Sequence, residues 1–369
     1  MKKIDKKILF ILHLPPPIHG AALMGKFLKE SELINSSFNC SYVNLGVSEN
    51  LNEIGQGNLK KIPRFLEIIK NVLIAIYRNK PDLVYMTPTS KGFGFYKDAL
   101  LAIVIRLLKI DLVYHFHNKG FCENQNRFFY NLIYKLIFKN CKAVLLSKML
   151  YDDIKKYIPE KDLYICPNGI PPTNPIREPT TNNNTVEILF LSNLLIAKGI
   201  LILLDACKIL KANNLDFKCI IIGAEADISA LELKNKINEL NLSNCVNYLG
   251  KKYGEEKFEI MAQADIFVLP TFDEAFPLVN LEAMQFSLPI VTTNVGGIPD
   301  MVINEHNGFI VEKENPVELA SKIEFLIHNN DSRVKMGING RKKYETEFTL
   351  EIFEKRMKEI LIEVVHKNN

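Results

Sequence analysis

Short runs of consecutive apolar residues, each too short to cross a membrane, recur along this chain and restrict its fold more than any other feature. Residues 8–12 read Ile-Leu-Phe-Ile-Leu and residues 219–222 read Cys-Ile-Ile-Ile. A strand with one wet face alternates apolar with polar, whereas a strand covered on both faces is apolar throughout. The pattern predicts strands over residues 7–14, 41–44, 82–86, 112–117, 143–147 and 163–166, separated by helix-length segments such as 59–78 and 127–139. The same rhythm returns at 186–192, 217–223, 246–249, 266–269, 289–293 and 308–311. Strand alternating with helix implies a parallel sheet with helices on both faces.

Between the two series lies PPTNPIREPTTNNNT, residues 171–185. It is rich in Pro, Asn and Thr and almost devoid of apolar side chains, which is linker chemistry. A chain of 369 residues is long for one core and comfortable for two. The expected α/β architecture is therefore two doubly wound, Rossmann-like parallel-sheet domains facing across a cleft. They span residues 1–170 and 186–348, and a last helix at 349–369 is free to pack back on the first. In such sheets ligands sit beyond the carboxyl ends of the strands. Candidate residues are those that follow strands, at 13–20, 117–120, 192–198, 223–227 and 270–277.

Composition narrows the class. Hydrophobic residues make up 47% and charged residues 24%, the balance of a folded soluble protein. The seven cysteines are odd in number and form no CxxC pair, which points to reduced thiols in a cytosol and away from a zinc ribbon or disulfide framework. The lysines before residues 8–14 imitate a signal peptide. The run contains His13 and stops at three prolines without a small-residue cleavage site, so it reads as a first strand. The longest apolar stretch, 99–114, is broken by Arg106, Lys109 and Asp111. Charge is unevenly spread. Residues 1–174 hold 25 Lys+Arg against 14 Asp+Glu, and the remainder 21 against 28. A basic first half suits an acidic partner such as an anionic membrane surface or a phosphate-bearing acceptor. Compositional drift toward lysine is the alternative.

The segment most informative about chemistry runs from Phe267 to Met284. A buried strand ends at Pro270, a short loop carries Asp273, Glu274 and Ala275, and Pro277 is expected at the first helical position. Amides near Phe276 to Val279 would lack intrahelical partners and, with the helix dipole, form a site for a diphosphate. Glu274 and Glu282 can accept hydrogen bonds from sugar or ribose hydroxyls. The plainer reading is a carboxylate serving the helix dipole and a solvated helix glutamate. His115 reads as a core residue. His117, at the strand end, reads as functional. His19 is open between loop packing and acceptor contact. Asp152-Asp153 reads as a solvated helix face, and no cluster has metal-ligand spacing. Gly296-Gly297 reads as a tight turn. Residues 58–80 mix Lys60, Lys61, Arg64, Lys70 and Arg78 with Leu66, Ile69, Leu73 and Ile76 at helical spacing. That helix suits either a membrane interface or packing on the first sheet. Phe93, Phe95 and Tyr96 are candidates for a membrane contact.

The glutamate pair within FDEAFPLVNLEAMQFSLPIVTTNVGGIPDMV resembles the retaining GT-B glycosyltransferases of family 4. Asn168-Gly169-Ile170, LFLSNLLIAKGILILLDA, IIIGAE and NGFIVE follow in that family's order, and PPPIHGAAL resembles its glycine-bearing loop after the first strand. The resemblance covers nearly the whole chain and is densest from 186 to 312. It implies that Lys198 neutralises the donor diphosphate and Glu274 contacts the transferred sugar. It implies backbone contacts from Phe276, Pro277 and Leu278, ribose binding by Glu282, close phosphate approach at Gly20, a donor contact at Gly223, and His117 facing the sugar. Ser192-Asn193 stands where the family usually has Gly-Arg, so Asn193 offers hydrogen bonds but no charge. Gly223-Ala224-Glu225 replaces a more glycine-rich loop.

The expected function is a metal-independent retaining glycosyltransferase with a nucleotide diphosphate sugar as co-substrate and no cofactor. A UDP-sugar is the first expectation for the donor and GDP-mannose the second. The acceptor is expected to be a glycan or a polyprenyl-diphosphate-linked glycan of bacterial surface polysaccharide assembly, at the inner face of the cell membrane, with no nucleic acid as partner. A nucleotide-sugar 2-epimerase of similar fold and a non-catalytic GT-B-fold partner protein are the alternatives. A dinucleotide oxidoreductase lacks its G-x-G-x-x-G after either candidate strand.

Overall fold

The computed structural model describes residues 4–46, 61–173 and 185–367. Most of the expected linker, residues 174–184, lies outside them, as does Lys60. The chain divides into two units, one made of Met1–Asn168 with Leu350–Asn369, the other of Gly169–Thr349.

In the first unit, β1 (Lys7–Leu12), β2 (Asn39–Asn44), β3 (Leu83–Met86), β4 (Asp111–Phe116), β5 (Lys142–Leu145) and β6 (Leu163–Ile165) form a parallel sheet in the order β2-β1-β3-β4-β5-β6. Its helices are α1 (Gly20–Glu30), α2 (Glu32–Ser37), α3 (Lys61–Asn79), α4 (Gly92–Leu107), α5 (Phe121–Asn124) and α6 (Phe128–Phe138). In the second, β7 (Val186–Leu191), β8 (Phe217–Ile222), β9 (Val246–Tyr248), β10 (Ile266–Leu269), β11 (Ile290–Thr293) and β12 (Gly308–Val311) pair in parallel as β12-β11-β10-β7-β8-β9. Its helices are α7 (Ile200–Ala212), α8 (Ala230–Glu239), α9 (Gly254–Gln263), α10 (Leu278–Gln285), α11 (Ile298–Met301), α12 (Pro316–His328) and α13 (Asn330–Glu347). The last helix, α14 (Leu350–His366), belongs to the first unit, where it packs on α2 and its Val364 carbonyl accepts from Lys142 Nζ at 3.1 Å.

All twelve expected strands are present to within two residues at each end. The continuous apolar runs are the reason. Ile8 to Leu12 are fully buried, and in β1 Ile8 lies between Cys40 of β2 and Leu83 of β3. Burying each such side chain contributes roughly 1.5–3 kcal/mol relative to exposure. Both sheets have a place where the strand order reverses, between β1 and β3 and between β7 and β10. In open sheets of this kind ligands bind near such a reversal, beyond the carboxyl ends of the strands.

Three sequence expectations need correction. On α3 the buried side chains are Phe65, Ile68 and Val72, while Leu66 and Leu73 of the expected apolar face are exposed. The helix turns a face about one position round from the one inferred. Phe95 is buried in an aromatic cluster with Phe121, Tyr130 and Tyr134, so it is a core residue and not a membrane contact. Asp153 is buried as well. Its carboxylate accepts from the Gly120 and Cys122 amides at 2.9 Å each and so holds the turn into α5.

Candidate functional site

The strand reversal in the second unit brings the ends of β7 and β10 side by side, and the two loops that leave them interlock. After β7 the chain makes a tight 3-10 turn at Ile196–Lys198, followed by Gly199 with φ +79°. A Cβ at Gly199 would lie 2.0 Å from the Pro270 carbonyl oxygen, so the turn seats against the end of β10 only with glycine there. The Ala197 carbonyl accepts from the Phe272 amide at 2.9 Å and from the Thr271 hydroxyl at 3.0 Å. This clamp sets Lys198 against the acidic loop. Its Nζ lies 2.5 Å from the Glu274 carboxylate and 3.2 Å from the Asp273 carbonyl. Both side chains are mostly buried.

The loop is also fixed from behind. The Ala275 amide donates to Glu274 Oε1 at 3.0 Å. Gly296, with φ +57°, approaches so closely that a Cβ would sit 2.3 Å from the Glu274 carbonyl, and the Gly297 amide donates to Ala275 O at 2.7 Å. The Gly-Gly turn is thus the backing of the carboxylate loop. The Thr293 hydroxyl donates to the Thr271 carbonyl. A carboxylate and an ammonium held by this many contacts are preorganised, and reaching a charged ligand requires little rearrangement of the backbone.

Pro277 is the N-cap of α10, not its first helical residue, because its ψ of 116° is still extended. The first-turn amides of Leu278 and Val279 have no carbonyl four residues back, and the Asn280 amide is taken by the Pro277 carbonyl at 3.1 Å. With the helix dipole they make an anion-attracting end a few residues after Glu274, the ion-pair partner of Lys198. Phe276 contributes backbone only, since its buried ring packs on Phe348 with centroids 6.0 Å apart. Glu282 is not a solvated helix glutamate. It pairs at 2.7 Å with Lys257 of α9, and each side chain is only 15% exposed. Lys257 has no distinguishing signal in GEEKFEI, which reads as an ordinary surface helix.

Asn193 and Gly223 meet at the ends of β7 and β8. A Cβ on Gly223 would lie 1.8 Å from the Ser192 carbonyl. The Asn193 side-chain oxygen accepts from the Ala224 amide at 3.3 Å, and Tyr248 OH donates to the Gly223 carbonyl at 2.8 Å. Asn193 therefore braces this junction.

The remaining candidates lie in the first unit, at its own strand reversal. His117 follows β4; both ring nitrogens are buried and make no hydrogen bond. Burial, then neighbouring His19, pushes its pKa down to about 3. His19 caps α1, its Nδ1 accepting from the Ala22 amide at 3.4 Å, immediately before Gly20, the first residue of that helix. His13, the first of the candidate residues at 13–20, stands 5.9 Å ring to ring from His19, and its Nδ1 is 3.4 Å from Thr87 Oγ1. Burial first, then Lys97, His19 and His117, holds it well below the usual imidazole range. His115 is a core residue sharing a hydrogen bond with Tyr85 OH. Gly25 lets α1 lie on the loop after β1, where a Cβ would meet the His13 carbonyl at 2.1 Å. Among the described residues no group of three His, Cys, Asp or Glu side chains is placed to hold a metal ion.

Residues 173–343 match the family described as Glycosyl transferases group 1. The chain is similar to the capsular polysaccharide biosynthesis glycosyltransferase CapM of Staphylococcus aureus, at 34% identity over 46% of this chain and 44% of that protein. It is similar to the amylovoran biosynthesis glycosyltransferase AmsK of Erwinia amylovora at 32% identity over 48% and 44%. The alignments thus span under half the length of these relatives. Among solved structures, a glycosyltransferase from Rickettsia africae aligns with a TM-score of 0.74 at 20% identity over 98% of this chain and 99% of that one. HepE of Anabaena, solved in complex with UDP-glucose, aligns at 0.73 and 19% over 97% and 100%. At these identities the structures speak for the fold. Through residues 173–343 the chain belongs to the glycosyl transferases group 1 family, GT4, and its two parallel sheets carry the GT-B fold.

Proposed function

We propose that this chain is a retaining glycosyltransferase that moves a sugar from a nucleotide diphosphate sugar, a UDP-sugar before GDP-mannose, to a glycan or polyprenyl-diphosphate-linked acceptor. The observation that carries the reading is the Lys198–Glu274 pair beside the α10 N-terminus at the strand reversal of the second unit. As the bond from sugar to diphosphate breaks, negative charge grows on the diphosphate. Lys198 and the Leu278 and Val279 amides supply cation and donors for that charge. Glu274 gives up Lys198 to the diphosphate and turns its oxygens to sugar hydroxyls. Glu282, held by Lys257, accepts from the ribose hydroxyls. The acceptor attacks from the face the diphosphate leaves, and the departing phosphate takes the acceptor proton. His117, uncharged over the working pH range, offers a neutral hydrogen bond to the sugar.

No divalent ion is needed in this scheme, because a lysine and a helix terminus meet the diphosphate charge. The names of CapM and AmsK support a place in bacterial surface polysaccharide assembly, and HepE's bound UDP-glucose supports a UDP-sugar donor. The setting is the inner face of the cell membrane. The proposed association is peripheral; no helix among the described residues is long and apolar enough to cross a membrane. The test is incubation with a panel of nucleotide sugars and candidate acceptors, reading released nucleoside diphosphate and the anomeric configuration of the product. Release with retention supports the proposal. Interconversion of the donor sugar at C2 would favour the epimerase, and no turnover of any donor would favour the non-catalytic partner. Activity abolished by a chelator and restored by manganese would contradict metal independence.

A further inference from the structure

Helix α4 is built inside out. Its only central charges, Lys97 and Asp98, are buried, paired at 2.6 Å, with Lys97 Nζ donating to the Leu45 carbonyl at 2.9 Å and Asp98 accepting from the Thr89 amide at 2.8 Å. The positions that face water are Tyr96, Leu100 and Leu107, the last 77% exposed. A helix covering a sheet normally does the reverse. Helix α6 follows the same rule, exposing Phe128, Phe129, Leu132 and Leu136 while Tyr134, Ile137 and Phe138 pack inward.

The two helices lie side by side and run in the same direction. Near their starts the rings of Tyr96 and Tyr130 are 5.6 Å apart, and at the other end Arg106, in the last turn of α4, donates to Sγ of Cys141, just past α6, at 2.9 Å. Their apolar stripes therefore adjoin and form one surface, and contiguous exposed apolar surface commonly marks an interaction site. Exposed cations border it at Arg127, Lys135, Lys139 and Lys109. The two helices contain no acid except the buried Asp98.

We infer that this α4–α6 face docks on an anionic lipid bilayer, with its aromatic and leucine side chains in the headgroup–acyl boundary and its lysines on the phosphates. Apolar stripes bordered by Arg127, Lys135, Lys139 and Lys109, against two exposed acids close by in sequence, Glu123 (paired with Lys91) and Asp111, carry the excess of cations that such an interface attracts. The inference deepens the proposed function by placing the acceptor side of the enzyme at a membrane, and it is tested without donor or acceptor, so the two can fail separately.

The experiment is co-sedimentation of the full chain with phosphatidylcholine vesicles containing a rising fraction of phosphatidylglycerol, at low and high salt. Binding should grow with phosphatidylglycerol and fall with salt. Phe128→Ser combined with Phe129→Ser should weaken it roughly 10- to 100-fold. Lys135→Glu with Lys139→Glu should weaken it about fivefold per charge removed. Leu66→Ser with Tyr77→Ser on α3 should leave it unchanged. All these side chains are exposed, and a thermal melt of each variant confirms the fold. No binding at any composition overturns the inference, and so does loss of binding in the α3 variant but not in the phenylalanine variant. A wild-type dimer that the phenylalanine variant dissociates overturns it too, because a second copy would then be the occupant.

Discussion

The strand reversals of the two units share a topology and differ in what stands at their mouths. In the second unit it is charge: Lys198 against Glu274, beside a helix N-terminus. In the first it is neutral imidazole: His13, His19 and His117, each held below its usual pKa chiefly by burial. Charge fixed in place suits a diphosphate, whose own charge must be met as it leaves. Uncharged rings suit hydroxyl groups, to which a neutral imidazole can both donate and accept. One scaffold used twice thus offers two chemistries, as the proposed reaction between an anionic donor and a hydroxylic acceptor would require.

The comparison breaks most visibly at the charged mouth. Lys198→Ala and Glu274→Ala are each expected to lower nucleotide-releasing turnover about 100- to 1,000-fold while the protein stays folded. Near-wild-type turnover in both would remove the site from this loop. Gly199→Ala tests whether the interlock holds that mouth together. Its φ of +79° and a Cβ 2.0 Å from the Pro270 carbonyl should cost the second unit about 1–3 kcal/mol, read as a lower urea midpoint. An unchanged midpoint would mean the turn is free to move. Glu282→Ala should act on binding more than chemistry, weakening nucleotide affinity about tenfold with kcat largely preserved. A kcat loss matching that of Lys198→Ala would place Glu282 at the reacting bond.

The neutral mouth is sharpened by pH. The unfolded chain binds protons on these histidines near pH 6.5, whereas the folded first unit keeps His13, His115 and His117 unprotonated to lower pH. Their contribution to stability is therefore intact above about pH 6.5 and is lost progressively as pH falls from there toward 3. Urea midpoints measured across that range should fall with pH, and His117→Gln should flatten the slope. A slope identical in the variant would show that His117 does not carry the linkage.

Much of this was legible before any coordinates. Strands buried on both faces announce themselves by unbroken apolar runs such as Ile8 to Leu12, and the Glu274 loop by a motif confined to one strand, one loop and one helix start, whereas Lys198 is singled out only by the family resemblance. What escaped depends on partners distant in the chain. Lys257 looks like any surface lysine until α9 sets it on Glu282. Asp153 reads as solvated because nothing local shows that it receives the amides of Gly120 and Cys122. The inverted face of α4 is hidden for the same reason, since a nearly all-apolar helix carries little periodicity to orient it. Pro277 is the cap and not the first helical residue, a one-position difference that rests on its ψ angle and has no mark in the sequence.

The central claim, that the donor diphosphate sits on the second unit between Lys198 and the start of α10, is tested most directly by hydrogen exchange with and without saturating UDP or GDP. Backbone amides that grip phosphate oxygens exchange more slowly. The account predicts that the nucleotide that binds protects peptides covering residues 193–200 and 271–282. Bound nucleotide that leaves both segments exchanging as in the free protein would contradict it.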